Sequence, residues 1–155
     1  MAAWMARLVA AMLRPASRSL AAASARSAVA LRAGPPLPDI EVTPPVAAAA
    51  RALDLERRDA YVLLAQSELA AGRTGFVTEL LACVPDFPHD EALVVPLAEG
   101  LYRAGRQADA LATLDRHRRL LADEFGVDEG RAVGLLRERI LRHDPALAAV
   151  TSPPS

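Results

Sequence analysis

Residues 67–80 read SELAAGRTGFVTEL and residues 100–114 read GLYRAGRQADALATL, and both stretches turn on the tripeptide Ala-Gly-Arg. A glycine after a helical run takes up the left-handed conformation that closes a helix without a Cβ clash. Each stretch therefore reads as a helix, a tight turn at Gly72 or Gly105, and a returning helix. The two glycines are 33 positions apart, 105 against 72. Ala65 and Ala98 fall seven positions before them, and Val77 and Ala110 five positions after. Small side chains at matched positions let the two helices of a hairpin approach closely. The pattern predicts two alike hairpins, although Tyr61, eleven before Gly72, has Val94 as its counterpart.

Thr43 ahead of Pro44 and Pro45 offers an N-cap and a first-turn proline, and Val46 to Ala71 contains neither Gly nor Pro. One long helix is expected there, with Ala49, Leu53, Ala60 and Leu64 recurring near helical spacing. Its partner spans Gly75 to Val84 and stops at Pro85. Asp90–Ala104 and Gln107–Phe125 form the next pair, closed by Gly126. Arg131–Arg142 places Val133, Leu136 and Ile140 on one face before His143, Asp144 and Pro145 end it. Upstream, Gly34, Pro35, Pro36 and Pro38 make a stiff connection behind a helical hairpin within residues 1–32, broken at Pro15. Residues 148–155 read as a disordered tail.

The expected fold is all-α, about seven helices, and the glycine spacing is close to the tetratricopeptide period of about 34. Stacked hairpins in a short right-handed array bury apolar faces that no single hairpin buries alone, and the stacking leaves a groove for a peptide or a partner helix. The alternative is a plain antiparallel bundle whose Gly-Arg turns recur because glycine suits helix ends.

Composition removes other classes. All 18 basic residues are Arg, and neither Lys nor Asn occurs, the imprint of a GC-rich coding sequence. A net charge of -1 supplies no field to draw in nucleic acid. Cys83, the single cysteine, lies between Ala82 and Val84 and reads as a buried structural thiol in a reducing cytoplasm. Arginines interrupt the N-terminal apolar run too often for a membrane span. His89, His117 and His143 never reach a metal-ligand spacing and read as solvated or capping residues. Asp115–Arg119 and Arg119–Asp123 have the i, i+4 spacing of solvated surface ion pairs. There is no nucleophile elbow, phosphate loop or dinucleotide fingerprint. No catalytic, cofactor-binding or metal-binding residue is expected, and no cofactor.

Three further blocks, LYRAGRQADAL, RRLLADEFGVDEG and ERILRHDPAL, run in order from Leu101 to Leu147. They resemble the bacterial transcriptional activator domain of actinobacterial antibiotic regulatory proteins, the SARP family. The upstream LRAGPPLPDI and the long helix after it resemble the same domain more weakly, so residues 33–147 form the matched region. The resemblance implies transcription regulation through protein contacts, with an RNA polymerase subunit, a DNA-binding regulator or a second copy as partner. Family members usually carry a winged-helix DNA-binding domain ahead of this one, and residues 1–32 offer no strands for a wing. Direct sequence-specific DNA binding is therefore not expected, nor membrane association. A generic adaptor, or the remnant of a split regulator, is the alternative. Guanidinium groups pair bidentately with carboxylates, so Arg103, Arg106, Arg116 and Arg119 are the candidate partner-contacting residues.

Overall fold

The two Ala-Gly-Arg turns form as their residues require. In a computed structural model, which describes residues 44–148, Gly72 and Gly105 take φ of 71° and 77°. At the first turn the Arg73 N–H donates to the Glu68 carbonyl at 2.9 Å and the Gly72 N–H to Leu69 at 3.1 Å. At the second, Arg106 donates to Leu101 and Gly105 to Tyr102, both at 2.9 Å. These are two copies of the Schellman arrangement, which satisfies the last carbonyls of a helix.

The turns join α1 (Pro44–Ala70) to α2 (Val77–Cys83), and α3 (Glu91–Arg103) to α4 (Gln107–Phe125). A 3₁₀ turn at Val84–Asp86 leads from the first hairpin to the second, and α5 (Arg131–Leu141) and α6 (Pro145–Ala148) follow. No strand occurs among the described residues. The expected hairpin within residues 1–32 and the tail beyond residue 148 lie outside them, as does the Thr43 cap.

Two boundaries differ from the sequence reading for local reasons. The second helix starts at Val77 rather than Gly75, because residues 73–76 complete the reversal after the left-handed glycine. His143–Asp144–Pro145 does more than end a helix. His143 takes a φ of 51° and closes α5 as the glycines close α1 and α3, with the Asp144 N–H on the Arg139 carbonyl at 2.9 Å. Asp144 then accepts from the Ala146 N–H at 2.9 Å, so it caps a further turn with Pro145 in first position. That turn carries Leu147 into the core, 1% exposed.

The matched small residues meet the packing demand inferred for them. Ala65, Ala98 and Ala110 are fully buried and Val77 is 6% exposed. They belong to one apolar core shared by the six described helices, with Leu64, Leu80, Leu97, Leu114, Leu136 and Ile140 among its members. Of the helices, α3 is the central one and contacts each of the others. It buries Leu93, Val94, Pro96, Leu97, Ala98, Gly100 and Leu101, most of its circumference. Two of these residues sit uneasily in a helix and are there for packing. Pro96 lacks an N–H for the Ala92 carbonyl. Gly100 lets α2 come so close that a Cβ would stand 2.7 Å from Phe76 Cζ and 2.8 Å from Val77 Cγ2. Leu53, by contrast, is 44% exposed, so the apolar spacing read along the first half of α1 does not continue into a buried stripe at that position.

Gly134 in α5 is the useful comparison, because a Cβ there meets only Glu129 Oε1 at an ordinary 3.5 Å. Gly134→Ala is expected to gain up to about 1 kcal/mol from helix propensity. The same change at Gly100 is expected to come out about 1–3 kcal/mol below it through overpacking. Calorimetric melting of the two variants checks this, and an equal gain in both would show that Phe76 and Val77 do not pack on Gly100.

Candidate protein-docking surfaces

What α3 does not bury defines the first surface. Ala92, Val95, Glu99 and Arg103 follow helical spacing on its one half-open stripe. Ala92, Val95, Pro96 and Glu99 floor a groove of about 320 Å³, walled by Gln66 and Leu69 from α1 and by Ala132 from α5, with Glu91 at its end. The first helices of successive hairpins thus face one concavity, the arrangement expected of stacked helical pairs. The floor is mostly apolar and the charged members of the groove, Glu91 and Glu99, are acidic, and Pro96 leaves the Ala92 carbonyl without its helical donor.

Polar contacts hold the three groove helices in place. The Asp90 carboxylate caps α3 by accepting from the Ala92 N–H at 2.9 Å, and it receives both Nε and Nη2 of Arg58 from α1. Beside it, Arg57 pairs with Asp86 and lies over the Phe87 ring, 5.4 Å from its centroid. Arg103 donates to the Leu69 carbonyl at 2.8 Å and pairs with Glu99, tying the end of α3 to the last turn of α1. Glu91 accepts from the Gly130 N–H at 2.7 Å and so fixes the start of α5. A Cβ on Gly130 would overlap that carboxylate, which is why glycine stands there. Arg137 of α5 bridges Asp115 of α4 and Glu129 of the preceding loop at 2.7 and 2.6 Å. The last residues of the FGVDEG block, Glu129 and Gly130, are therefore structural ties.

The four arginines singled out from the sequence do not converge. Arg103 is committed to Leu69 and Glu99 beside the groove. Arg106 pairs with Asp109 at the turn, 2.7 Å away. Arg116 and Arg119 lie on the opposite hairpin member, α4, both exposed. The surface pairs expected of Asp115–Arg119 and Arg119–Asp123 are absent. The Asp115 carboxylate is taken by Arg137, and Arg119 reaches only the Asp115 carbonyl, at 3.3 Å.

The histidines also divide. His89 is exposed and pairs with Glu124 at 2.7 Å, and His143 is exposed at the close of α5. His117 is not solvated. It is 3% exposed, with Nδ1 at 3.1 Å from the Pro88 carbonyl and Nε2 at 3.8 Å from Glu91 Oε1. The helical pattern held the signal: His117 follows Ala110, Thr113 and Leu114 on the buried face of α4. Glu68 was missed as well. It is 2% exposed and held by both Nε and Nη2 of Arg73, the arginine of its own turn. Cys83 is buried as read, and burial pushes its thiol up to about 11. Among the described residues no group of three His, Cys, Asp or Glu could hold a metal ion. No helix among them is long and apolar enough to cross a membrane.

Stacked helical hairpins around an open groove define a tetratricopeptide-like protein. Residues 5–141 match the bacterial transcriptional activator domain, and the chain belongs to that family. It is 49% identical over 76 residues to the regulatory protein AfsR of Streptomyces coelicolor, covering 49% of this chain and 8% of AfsR. It is 36% identical over 113 residues to the transcriptional regulatory protein EmbR of Mycobacterium tuberculosis, covering 72% of this chain and 29% of EmbR. The structure of M. tuberculosis EmbR in complex with a low affinity phosphopeptide superposes with a TM-score of 0.67 at 32% identity, covering 86% of this chain and 39% of that one. The chain thus spans well under half the length of these relatives, both of them regulatory proteins.

Burial alone would raise the Asp90 carboxyl, but the Arg58 and Ala92 hydrogen bonds and the Arg58 charge outweigh it and hold the group below its ordinary 3.8. A carboxyl lowered in the folded state contributes stability above its unfolded value and loses it as pH falls through the folded one. Stability should therefore drop as pH is lowered below about 4, and Asp144, lowered by Arg139 and the Ala146 N–H, adds in the same sense. Asp90→Ala is expected to cost about 1–3 kcal/mol at pH 7 and to show a shallower acid decline. Urea unfolding at a series of pH values reads both, and an unchanged acid limb in the variant would remove Asp90 from this role.

Proposed function

We propose that the chain is a transcription-regulatory, protein-interaction module that works in the cytoplasm by contact with an RNA polymerase subunit, a DNA-binding regulator or a second copy of itself. The observation that carries this reading is the open stripe of α3, the central helix of a fold shared with transcriptional regulators. A helix packed on nearly every side has no structural need to leave Ala92, Val95 and Pro96 at the floor of a groove. An extended segment or a partner helix fits such a concavity, the usual mode of binding for stacked helical pairs. The phosphopeptide in the EmbR structure belongs to EmbR, and it supports protein contact as the working principle of one relative.

The partner-contacting role assigned to arginine divides in two on this reading. Arg103 holds Leu69 and Glu99 in place beside the groove and Arg106 is paired with Asp109, while Arg116 and Arg119 face outward for carboxylates of a partner. Direct promoter recognition is no part of the proposal, since a net charge of -1 supplies no overall field to draw in DNA.

The test is affinity purification of the tagged chain from its native host, beside a Val95→Arg variant. The unaltered chain is expected to retain a polymerase subunit, a regulator or an untagged copy of itself. The variant, with a cation in the groove and its melting temperature preserved, is expected to lose most of that partner. Equal retention by both, or tight sequence-specific binding of the purified chain to a promoter fragment, contradicts the proposal.

A further inference from the structure

The outer hairpin members carry a second, smaller site. The turn from α2 to α3 supplies Val84, Pro85 and Pro88, and α4 supplies Thr113, His117 and Leu120. Together, over a floor of Val94 and with Arg116 at the wall, they enclose about 170 Å³ of almost wholly apolar space. That is below the roughly 300–1,000 Å³ of a small-molecule site, and about right for one anchoring side chain of a protein partner. Its two buried polar members are already engaged on one side each. The Thr113 hydroxyl donates to the Asp109 carbonyl at 2.8 Å, and His117 Nδ1 meets the Pro88 carbonyl.

The charge around this pocket is unbalanced in a particular way. Asp86 and Asp90 are taken by Arg57 and Arg58, and Glu124 is paired with His89. Asp115, the natural partner for Arg119, is taken by Arg137 from α5. Arg116 and Arg119, three residues apart and so on one helical face, are left exposed without a carboxylate partner among the described residues. Asp123 stands four residues from Arg119, about 6 Å along the helix at 1.5 Å per residue, and makes no ion pair with it among the described residues.

We infer that the pocket between the α2–α3 turn and α4 takes one bulky apolar side chain of an acidic protein segment, whose flanking carboxylates pair with Arg116 and Arg119. The inference rests on the reading of the chain as a protein-docking module and adds a surface and a partner chemistry to it. A nucleic acid is the poorer occupant, because two arginines supply few phosphate contacts and the pocket is too small for a nucleotide.

The probe is a fluorescein-labelled synthetic peptide with one phenylalanine flanked by aspartates, titrated into the full-length, isotope-labelled chain. Shifts in the amide spectrum are expected to centre on Thr113, Arg116, His117 and Leu120. Replacing the peptide phenylalanine by alanine, or its aspartates by asparagine, should weaken binding by about tenfold or more. The double variant Arg116→Glu, Arg119→Glu should do the same, and its unchanged melting temperature shows that the fold is kept. Val95→Arg should leave this binding unaffected. No shift at the pocket at about millimolar peptide overturns the inference, as does equal binding by the charge-reversed variant or displacement by a single-stranded oligonucleotide. Binding that is sensitive to Val95→Arg alone also overturns it while sparing the docking module itself. The module fails separately, if the chain retains no protein partner in its host.

Discussion

One carboxylate does two jobs on which the rest of the structure depends. Asp90 accepts the exposed Ala92 N–H at the start of α3, and with its two carboxylate oxygens it also receives the guanidinium of Arg58 on α1. The first job starts the central helix. The second fixes that helix to the hairpin before it, and among the described residues α3 contacts every other helix and the core is continuous across all six. Helices this short gain most of their stability from tertiary packing rather than propensity. The register between α1 and α3 is thus set by the polar pair at one end and by Arg103 on the Leu69 carbonyl at the other.

The surfaces available for function are what remains after that packing is satisfied. On the inner side the remainder is the stripe through Ala92, Val95 and Glu99, bounded by α1 and α5. On the outer side it is a consequence of ion-pair bookkeeping: Arg137 draws Asp115 away from Arg119 to anchor α5, and a positive edge is left uncompensated beside an apolar pocket. The Arg137–Asp115 tie that anchors α5 thus leaves Arg119 without that carboxylate on the surface of α4.

Much of the fold was legible because turn chemistry is local. Gly72, Gly105 and Gly126 announce left-handed helix ends by type alone, and all three have the positive φ this requires. Ala65, Ala98, Val77 and Ala110 were found by counting from two of those glycines, since both hairpins obey the same geometry. His143 was not legible in this way, because a histidine, unlike a glycine, takes a φ of 51° only occasionally and its type alone does not announce it. The candidate site was less readable for a related reason. Ion-pair choice is decided in three dimensions, so the spacing Asp115–Arg119 suggested a local pair where a contact from residue 137 prevails. Likewise Glu91 and Gly130, 39 positions apart, meet only when α5 docks. Pro96 lies inside α3 and lines the groove, a signal that the reading of Asp90–Ala104 as one plain helix passed over.

Native-state hydrogen exchange tests most directly whether α3 is the element that organises the molecule. The amides of Leu97, Ala98 and Leu101 should exchange only through global unfolding, with a protection free energy equal to the denaturant-derived stability. Those of α6 should exchange through local opening. The account is contradicted if the amides of α3 open more readily than those of α1 or α4, because then the helix at the centre of the fold is not the one that holds it together.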